Sequence, residues 1–399
     1  MQLYQDHVLF SSSMYLCTHT FGTLTGTRQT EVYLWTGNSV TQVHTESALS
    51  HAKKAAKDVS GTCLHLPQEK ETPAFLQALG GILVTRKAAK SSSAKQPYLL
   101  RGRRHFGHLA FDEVDLHPSS LCPGYPCILV TADESKIFVW KGAGANPEEI
   151  AGARLMAMDL CATADIVEID PTSEPSAFFA AFPGKVTSAD VPHFGSHWQL
   201  KRKHDAYRVR LFHIKHSTRD VPGQLSTVGA FWRAAAGKVA GEGGAGASET
   251  QVEEIVPFCQ RDLEADGVYV LDAFFEVYVY VFLSCPWPVD QYNSIANTNH
   301  SIVGPLARSA FPAFTAALLF AQEYAIVAAS ASSEDRPFVP VGHVVLEGAP
   351  ADMRAVFRTW DAAAVHTEEL MAGRAGGGER DVVSVGLAAA IAAVRGMGA

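Results

Sequence analysis

The stretch that decides the fold is Lys136-Ile137-Phe138-Val139-Trp140-Lys141-Gly142, followed closely by Asn146-Pro147-Glu148-Glu149. The apolar, β-branched and aromatic run predicts a strand, and the Asn-Pro-Glu-Glu after it predicts the start of a helix. Residues 31–37 (Glu-Val-Tyr-Leu-Trp-Thr-Gly) repeat the strand, and residues 43–59 repeat the helix. A third, more divergent copy lies at 268–281, with a longer gap before its helix. Repetition of one strand–helix unit indicates an array of similar modules.

The composition is that of a folded, acidic protein. Of the 399 residues, 47% are hydrophobic and 19% are charged, and the formal net charge is −8. The acidic balance argues against a general affinity for nucleic acid. The seven cysteines are scattered and odd in number, so we expect a reducing, cytoplasmic compartment. We expect no transmembrane segment, because no run of 18 apolar residues occurs, and residues 1–30 lack the pattern of a signal peptide.

The repeats divide the chain into three segments, which we predict to be domains of one α+β class. They cover residues 1–92, 98–192 and 204–362. In each segment the pattern predicts a mixed central sheet with one long and one short helix. A Gly-rich stretch at 216–250 predicts an insertion in the third segment, and residues 363–399 are predicted to form a flexible tail.

A second phrase supports the repeat independently of the first. Glu71-Thr72-Pro73-Ala74-Phe75 stands near the end of the first segment, and Glu174-Pro175-Ser176-Ala177-Phe178 stands at the corresponding place in the second. Each phrase predicts a short helix near a proline, whose missing N–H costs little at a helix start. We expect Trp35, Trp140 and Tyr280 to occupy equivalent places in the three segments, each between the sheet and its long helix.

These phrases resemble the gelsolin/villin repeat. The resemblance covers roughly residues 1–360 and is best at 136–149; residues 99–104 resemble the start of a second gelsolin repeat, and residues 262–272 resemble the start of later repeats. The arrangement is similar to a divergent, fungal-type protein with three gelsolin-like repeats. The resemblance implies a non-enzymatic cytoskeletal protein that binds actin as monomer or filament, caps or severs filaments, and responds to calcium and phosphatidylinositol 4,5-bisphosphate.

The resemblance also implies where calcium would bind, namely at an acidic pair at a strand start and a Glu early in the long helix. Calcium takes six to eight oxygen ligands, carboxylates among them. Glu149 stands at the helix position of the second segment, but Gly124-Tyr125 replaces the acidic pair, and in the third segment Asp266 is the acid that remains. No segment keeps a full set, so we expect no required cofactor and weak or lost calcium control. Glu149 is then explained by its favourable charge at a helix N-terminus.

A basic stretch without acidic residues is the second candidate site. Its members are Arg86, Lys87, Lys90, Lys95, Arg101, Arg103 and Arg104. As a basic linker, this stretch predicts contact with a phosphoinositide membrane surface or with the acidic surface of actin. It is equally well explained as a solvated linker that binds nothing.

Two functions therefore stay open. The first is an actin-binding protein whose long helices and basic linker contact actin. The alternative is an actin-independent adaptor or scaffold that uses the same fold for protein–protein contacts, because fold does not fix function. An enzyme is not predicted: Cys17 and His19 could be neighbours on a strand, but no third partner or oxyanion motif accompanies them.

Overall fold

The computed structural model describes the chain except for residues 1–6, 88–95, 162, 192, 218–248, 265–266, 282–309, 332–335, 362–382 and 397–399. The chain divides into two compact units, residues 1–203 and 204–399. The first unit contains the first two predicted segments, and the second unit contains the third. The finer division of the first unit into two domains stays a prediction.

Three strands of the first segment form a small sheet, and two others belong to a larger sheet. Its elements are β1 (Val8–Phe10), β2 (Met14–Gly22), β3 (Arg28–Thr36), α1 (Gln42–Asp58), β4 (Thr62–Pro67), α2 (Pro73–Ala78) and β5 (Ile82–Arg86). β2 pairs antiparallel with β3, which pairs parallel with β4. β1 and β5 pair in parallel and join the sheet of the second segment, a connection that the sequence pattern did not predict.

The second segment forms the larger sheet of the first unit. Its elements are β6 (Tyr98–His105), β7 (His108–Val114), β8 (Pro126–Val130), β9 (Lys136–Lys141), α3 (Pro147–Leu160), β10 (Asp165–Ile169) and α4 (Ser176–Phe179). The seven strands run in the order β1-β5-β7-β6-β8-β9-β10. A 3-10 helical segment, Ser196–Lys203, ends the unit.

The second unit is built on one six-stranded sheet, ordered β12-β11-β13-β14-β15-β16. Its elements are β11 (Arg210–Ser217), β12 (Glu249–Ile255), β13 (Val268–Asp272), β14 (Glu276–Val281), α5 (Ala310–Ala331), β15 (Val341–Glu347), α6 (Ala351–Val356), β16 (Val383–Gly386) and α7 (Leu387–Gly396). Most of the predicted Gly-rich insertion lies outside the described residues.

The predicted flexible tail needs correction over its last ordered part. β16 pairs antiparallel with β15, and Leu387, Ile391 and Val394 of α7 are buried in the core beside Leu318 of α5. Apolar residues at helical spacing make this Ala-rich helix amphipathic, so it packs on the sheet instead of remaining loose.

One module recurs three times, as the sequence predicted. An antiparallel strand pair (β2–β3, β8–β9 and β13–β14) is followed by a long helix (α1, α3 and α5) and then by a strand parallel to the second member of the pair. Trp35 pairs with Leu66, Trp140 with Ile169, and Tyr280 with Val345. The α+β class with mixed sheets is therefore confirmed, and the three aromatic residues occupy equivalent positions along the strands.

The expected packing of the two tryptophans is wrong in one respect. Trp35 lies in a core cluster with Phe75 of the short helix α2, and Trp140 lies in a cluster with Phe178 of α4. The long helix α3 covers the other face of the sheet. Successive strand residues point to opposite faces, so Trp140 shares a face with Phe138 while Ile137 and Val139 face α3.

Candidate functional site

The same hydrogen-bonded arrangement surrounds both tryptophans of the modules. In the first, Trp35 Nε1 donates to Glu71 Oε1 at 2.8 Å, and the Glu69 N–H donates to the same oxygen at 3.0 Å. In the second, Trp140 Nε1 donates to Glu174 Oε1 at 2.8 Å, and the Thr172 N–H donates at 3.1 Å. Buried indole N–H groups need an acceptor. The Glu of each repeated phrase is therefore a structural residue.

The basic stretch is not a linker over its second half. Residues 98–105 form β6, which lies between β7 and β8 near the centre of the seven-stranded sheet. Arg101 and Arg103 are buried, at 6% and 5% exposure. Strand alternation places both on the face that carries Leu99. β6 begins with the apolar residues Tyr98, Leu99 and Leu100. Their burial between β7 and β8 carries the following arginines into the sheet in spite of their charge.

The remaining members of the basic stretch have different surroundings. Arg86 Nε forms an ion pair with Glu113 at 2.7 Å, and its guanidinium carbon lies 3.3 Å from the ring centroid of Tyr98. Lys87 Nζ forms an exposed ion pair with Asp115 at 2.6 Å. Lys90 and Lys95 lie outside the described residues.

Arg104, the last residue but one of β6, is exposed. Its Nε lies 3.4 Å from Glu148 Oε2. The structure thus brings Arg101, Arg103 and Arg104 together on one strand, but Arg104 is the member of that strand with a surface position.

Glu149, the predicted remnant of a calcium site, holds the start of α3. Asn146 is the N-cap, as predicted; its side chain accepts from the Glu148 N–H at 3.0 Å. Glu149 Oε2 accepts from the Asn146 N–H at 2.9 Å, which completes a capping box. Glu149 Oε1 accepts from the Arg104 N–H at 3.0 Å. These bonds satisfy backbone donors that a helix start leaves open.

A buried lysine faces the same carboxylate. Lys201 Nζ lies 2.8 Å from Glu149 Oε2 and 3.1 Å from Oε1, and both side chains are nearly inaccessible, at 6% and 2% exposure. Burial lowers the pKa of Lys201, and the charge of Glu149 opposes that shift. Lys201 belongs to the basic run Lys201-Arg202-Lys203, which by its charge is typical of an exposed segment. Its apolar neighbour Trp198 was the available sign of burial.

Tyr125 closes the other side of the ammonium group. Lys201 Nζ lies 4.7 Å from the centroid of the Tyr125 ring, and the Arg103 guanidinium carbon lies 4.4 Å from it. Both are cation–π distances. Burial raises the pKa of Tyr125 to about 12, so the phenol stays neutral. A calcium ion does not fit this donor set, because Tyr125 offers a ring face and Glu149 already accepts from Lys201.

Two glycines allow the 196–203 segment to approach this position. A Cβ at Gly124 would lie 2.3 Å from Trp198 Cε3, and a Cβ at Gly144 would lie 1.6 Å from the Trp198 carbonyl oxygen. The Trp198 ring also lies 5.7 Å from the Tyr125 ring, centroid to centroid. The segment is therefore packed tightly against the loop before β8 and the turn before α3.

Neither a metal-ligand cluster nor a membrane-spanning helix occurs in the residues that the structure describes. Within those residues, no three His, Cys, Asp or Glu side chains converge on a point that could hold a metal ion. Asp266, the other predicted calcium position, lies outside them. No helix in the described ranges is long and apolar enough to cross a membrane.

Comparison with known sequences finds one family model and several distant relatives. Residues 1–87 match the family model described as "Domain of unknown function (DUF7904)". The chain is 24% identical to gelsolin of Gallus gallus over 263 residues, which are 63% of this chain and 28% of that protein. It is 23% identical to gelsolin of Drosophila melanogaster over 275 residues, 68% of this chain and 29% of that protein. It is 22% identical to protovillin of Dictyostelium discoideum over 288 residues, 69% of this chain and 26% of that protein.

The chain is thus similar to gelsolins and protovillin over about two thirds of its own length. The chain spans less than a third of the length of the gelsolins and protovillin that it matches. Among solved structures, the Thorarchaeota 2DGel3/rabbit actin complex matches 44% of this chain and 90% of the matched chain, at 21% identity and a TM-score of 0.21. A TM-score at that level adds nothing to the assignment.

Proposed function

We propose that this protein is a non-enzymatic, cytoplasmic component of the cytoskeleton that binds actin through its gelsolin-like modules. The observation that carries the proposal is the module of strand pair, long helix and parallel strand, which recurs three times in a chain similar to gelsolins and protovillin over about two thirds of its length. Because fold does not fix function, actin binding requires a suitable surface on these modules.

That surface is the solvent-facing side of the long helices. Each long helix exposes large apolar side chains: Val43 on α1, Leu155 and Met158 on α3, and Ile326 and Val327 on α5. Single exposed apolar residues are ordinary. Leu155 and Met158, however, are three residues apart, so they share one face of α3, and they are 57% and 58% exposed. α1 adds the exposed Lys53, Lys54 and Lys57, which suit an acidic partner surface.

Cosedimentation with actin filaments at moderate salt tests the proposal, with one arm in calcium and one in chelator. The double variant Leu155→Ser/Met158→Ser should weaken binding about tenfold, because two central apolar contacts of an interface are each worth about 1 kcal/mol or more. Val252→Ser, on the exposed strand β12, is the matched control and should bind as the wild type does. Absence of pelleting in both arms would reject actin binding and leave the adaptor function.

Phosphoinositide contact is a second, separable part of the proposal. Lys87 and Arg104 are the exposed members of the basic stretch within the described residues, and Lys90 and Lys95 lie between them in sequence. Polybasic segments gain about 1 kcal/mol per charge at an anionic membrane surface. The buried Arg101 and Arg103 have no part in it.

Vesicles of phosphatidylcholine with and without phosphatidylinositol 4,5-bisphosphate provide the test. Lys87→Glu/Arg104→Glu should reduce binding to the phosphoinositide vesicles by at least about tenfold, from the loss of two favourable charges. Lys136→Glu/Lys185→Glu, at two exposed positions away from the basic stretch, makes the same change in net charge and is the control. Equal binding by both variants would show that the stretch is inert toward membranes. Monitoring actin pelleting with the same variants separates the two parts of the proposal.

A further inference from the structure

The buried ammonium group of Lys201 joins four separate parts of the first unit. Its partner Glu149 belongs to the first turn of α3, and Glu149 in turn accepts the N–H of Arg104 at the end of β6. The Tyr125 ring comes from the loop before β8. Lys201 itself belongs to the 196–203 segment. A single positive charge therefore holds together elements that are distant in sequence.

The geometry points to an internal substitute for a metal ion: we propose that the Lys201 ammonium performs the structural role of a divalent cation at the start of α3. The ammonium approaches both oxygens of one carboxylate, at 2.8 and 3.1 Å, as a bound cation would. The site is shielded from water, since both side chains are buried. This assignment does not depend on actin binding.

The surrounding residues favour the ammonium over a metal. Calcium requires six or more oxygens, whereas one side of this site is the face of the Tyr125 ring. An aromatic face attracts an ammonium group through its quadrupole but offers a calcium ion no ligand. The backbone N–H groups of Asn146 and Arg104 donate hydrogen bonds to the two Glu149 oxygens, which leaves those oxygens less able to coordinate a metal. The chain thus carries its own cation, and attachment of the 196–203 segment needs no calcium.

Removal of the ammonium gives a specific test. Lys201→Met keeps the apolar stem and leaves Glu149 as an unpaired buried charge, which is strongly destabilising. In the full-length chain with EDTA, the melting transition of the first unit should fall by about 10 °C. Calcium chloride should not restore that loss in the variant, because the Tyr125 ring and the N–H groups bound to Glu149 remain and leave fewer than the six oxygens that calcium requires. The wild type should melt at one temperature in calcium and in EDTA.

Matched variants separate this role from a simple ion pair. Lys201→Met/Glu149→Gln removes both charges and should lose less stability than Lys201→Met, without a response to calcium. Arg154→Met, also on α3, breaks the exposed ion pair with Glu168 of β10. It should change the melting temperature by less than about 2 °C. Lys201→Gln, which keeps a neutral donor, should lose less stability than Lys201→Met, also without a response to calcium, and it provides the test if Lys201→Met does not fold.

Two results would overturn the proposal. One is a rise in the melting temperature of the wild type on adding calcium, which would show that the chain still uses the metal. The other is a folded Lys201→Met variant that melts within about 2 °C of the wild type in EDTA, which would show that the ammonium does not hold the start of α3. Isothermal titration calorimetry with calcium chloride checks the first result independently of melting.

Discussion

Replacing Glu71 and Glu174 by alanine, one at a time, compares the same hydrogen bonds in two environments. Both carboxylates accept one indole N–H and one backbone N–H, at distances that agree within 0.1 Å. Glu71 is fully buried and so is Trp35, at 0% exposure each. Glu174 is partly exposed and Thr172 is exposed. The pair therefore isolates the effect of burial.

The expected magnitudes follow from the donors that are left behind. A buried donor without a partner costs about 1–3 kcal/mol. Glu71→Ala leaves two such donors, Trp35 Nε1 and the Glu69 N–H, so it should destabilise the first unit by about 4 kcal/mol. Glu174→Ala leaves the Thr172 N–H able to bind water, so Trp140 Nε1 is the main donor without a partner. The variant should lose about 1–2 kcal/mol in free energy of unfolding. Glu71→Gln keeps an acceptor oxygen and should cost about 1 kcal/mol.

Urea unfolding of the full-length chain measures these differences in free energy, and scanning calorimetry measures the matching changes in melting temperature. For a unit of about 200 residues, 4 kcal/mol corresponds to a fall in melting temperature of about 8–16 °C. The two compact units can unfold separately, so the transition of the first unit has to be resolved before free energies are compared. Equal costs for Glu71→Ala and Glu174→Ala, or a cost below about 1 kcal/mol for Glu71→Ala, would refute the reasoning from burial.

Three further outcomes are expected. Among the six cysteines of the described residues, Cys161 should react first with a thiol reagent, since a hydrogen bond from Thr163 lowers its pKa. Cys127 should react only on unfolding, since burial raises its pKa to about 12; equal rates for these two in the folded protein would contradict this. NMR titration of Asp133 should give a midpoint near pH 2, because hydrogen bonds led by the Ser135 hydroxyl lower its pKa to about 2. The ionised Asp133 carboxylate therefore stabilises the folded state above about pH 4, and this stabilisation is lost as the pH falls through 2. A midpoint near pH 4 would count against this account. Gly348→Ala should destabilise the second unit by about 1 kcal/mol in urea, because Gly348 has φ +71°; an unchanged midpoint would contradict that strain.

Local patterns in the sequence predicted local structure well. The β8–β9 hairpin, the start of α3 at Asn146 and the short helix after Glu71 each depend on residues within a few positions of one another. Strand, cap and turn preferences act over that range. The position of Glu149 at the N-terminus of a helix could be predicted for the same reason.

Long-range partners were not accessible from the sequence. Charge patterning around Arg101 and Arg103 favoured a linker, but pairing with β7 and β8 places both in a buried strand. Lys201 is 52 residues from Glu149, and no local periodicity connects them. Tertiary contacts override local preference at these positions, so the candidate site could be predicted only in part.

The divergence of the third module has a physical reason at one turn. Three residues after the strand partner of each aromatic residue, the chain takes a left-handed conformation: φ is +71° at Glu69, +69° at Thr172 and +71° at Gly348. Non-glycine residues are strained there, and in the first two modules the carboxylate two residues later accepts the N–H of the strained residue. In the third module Gly348 adopts the conformation without strain, and Pro350 stands where the carboxylate would be. The turn of the third module therefore forms without a Glu–Trp pair, so Tyr280 can stand at the position of Trp35 and Trp140 while the strand register is kept.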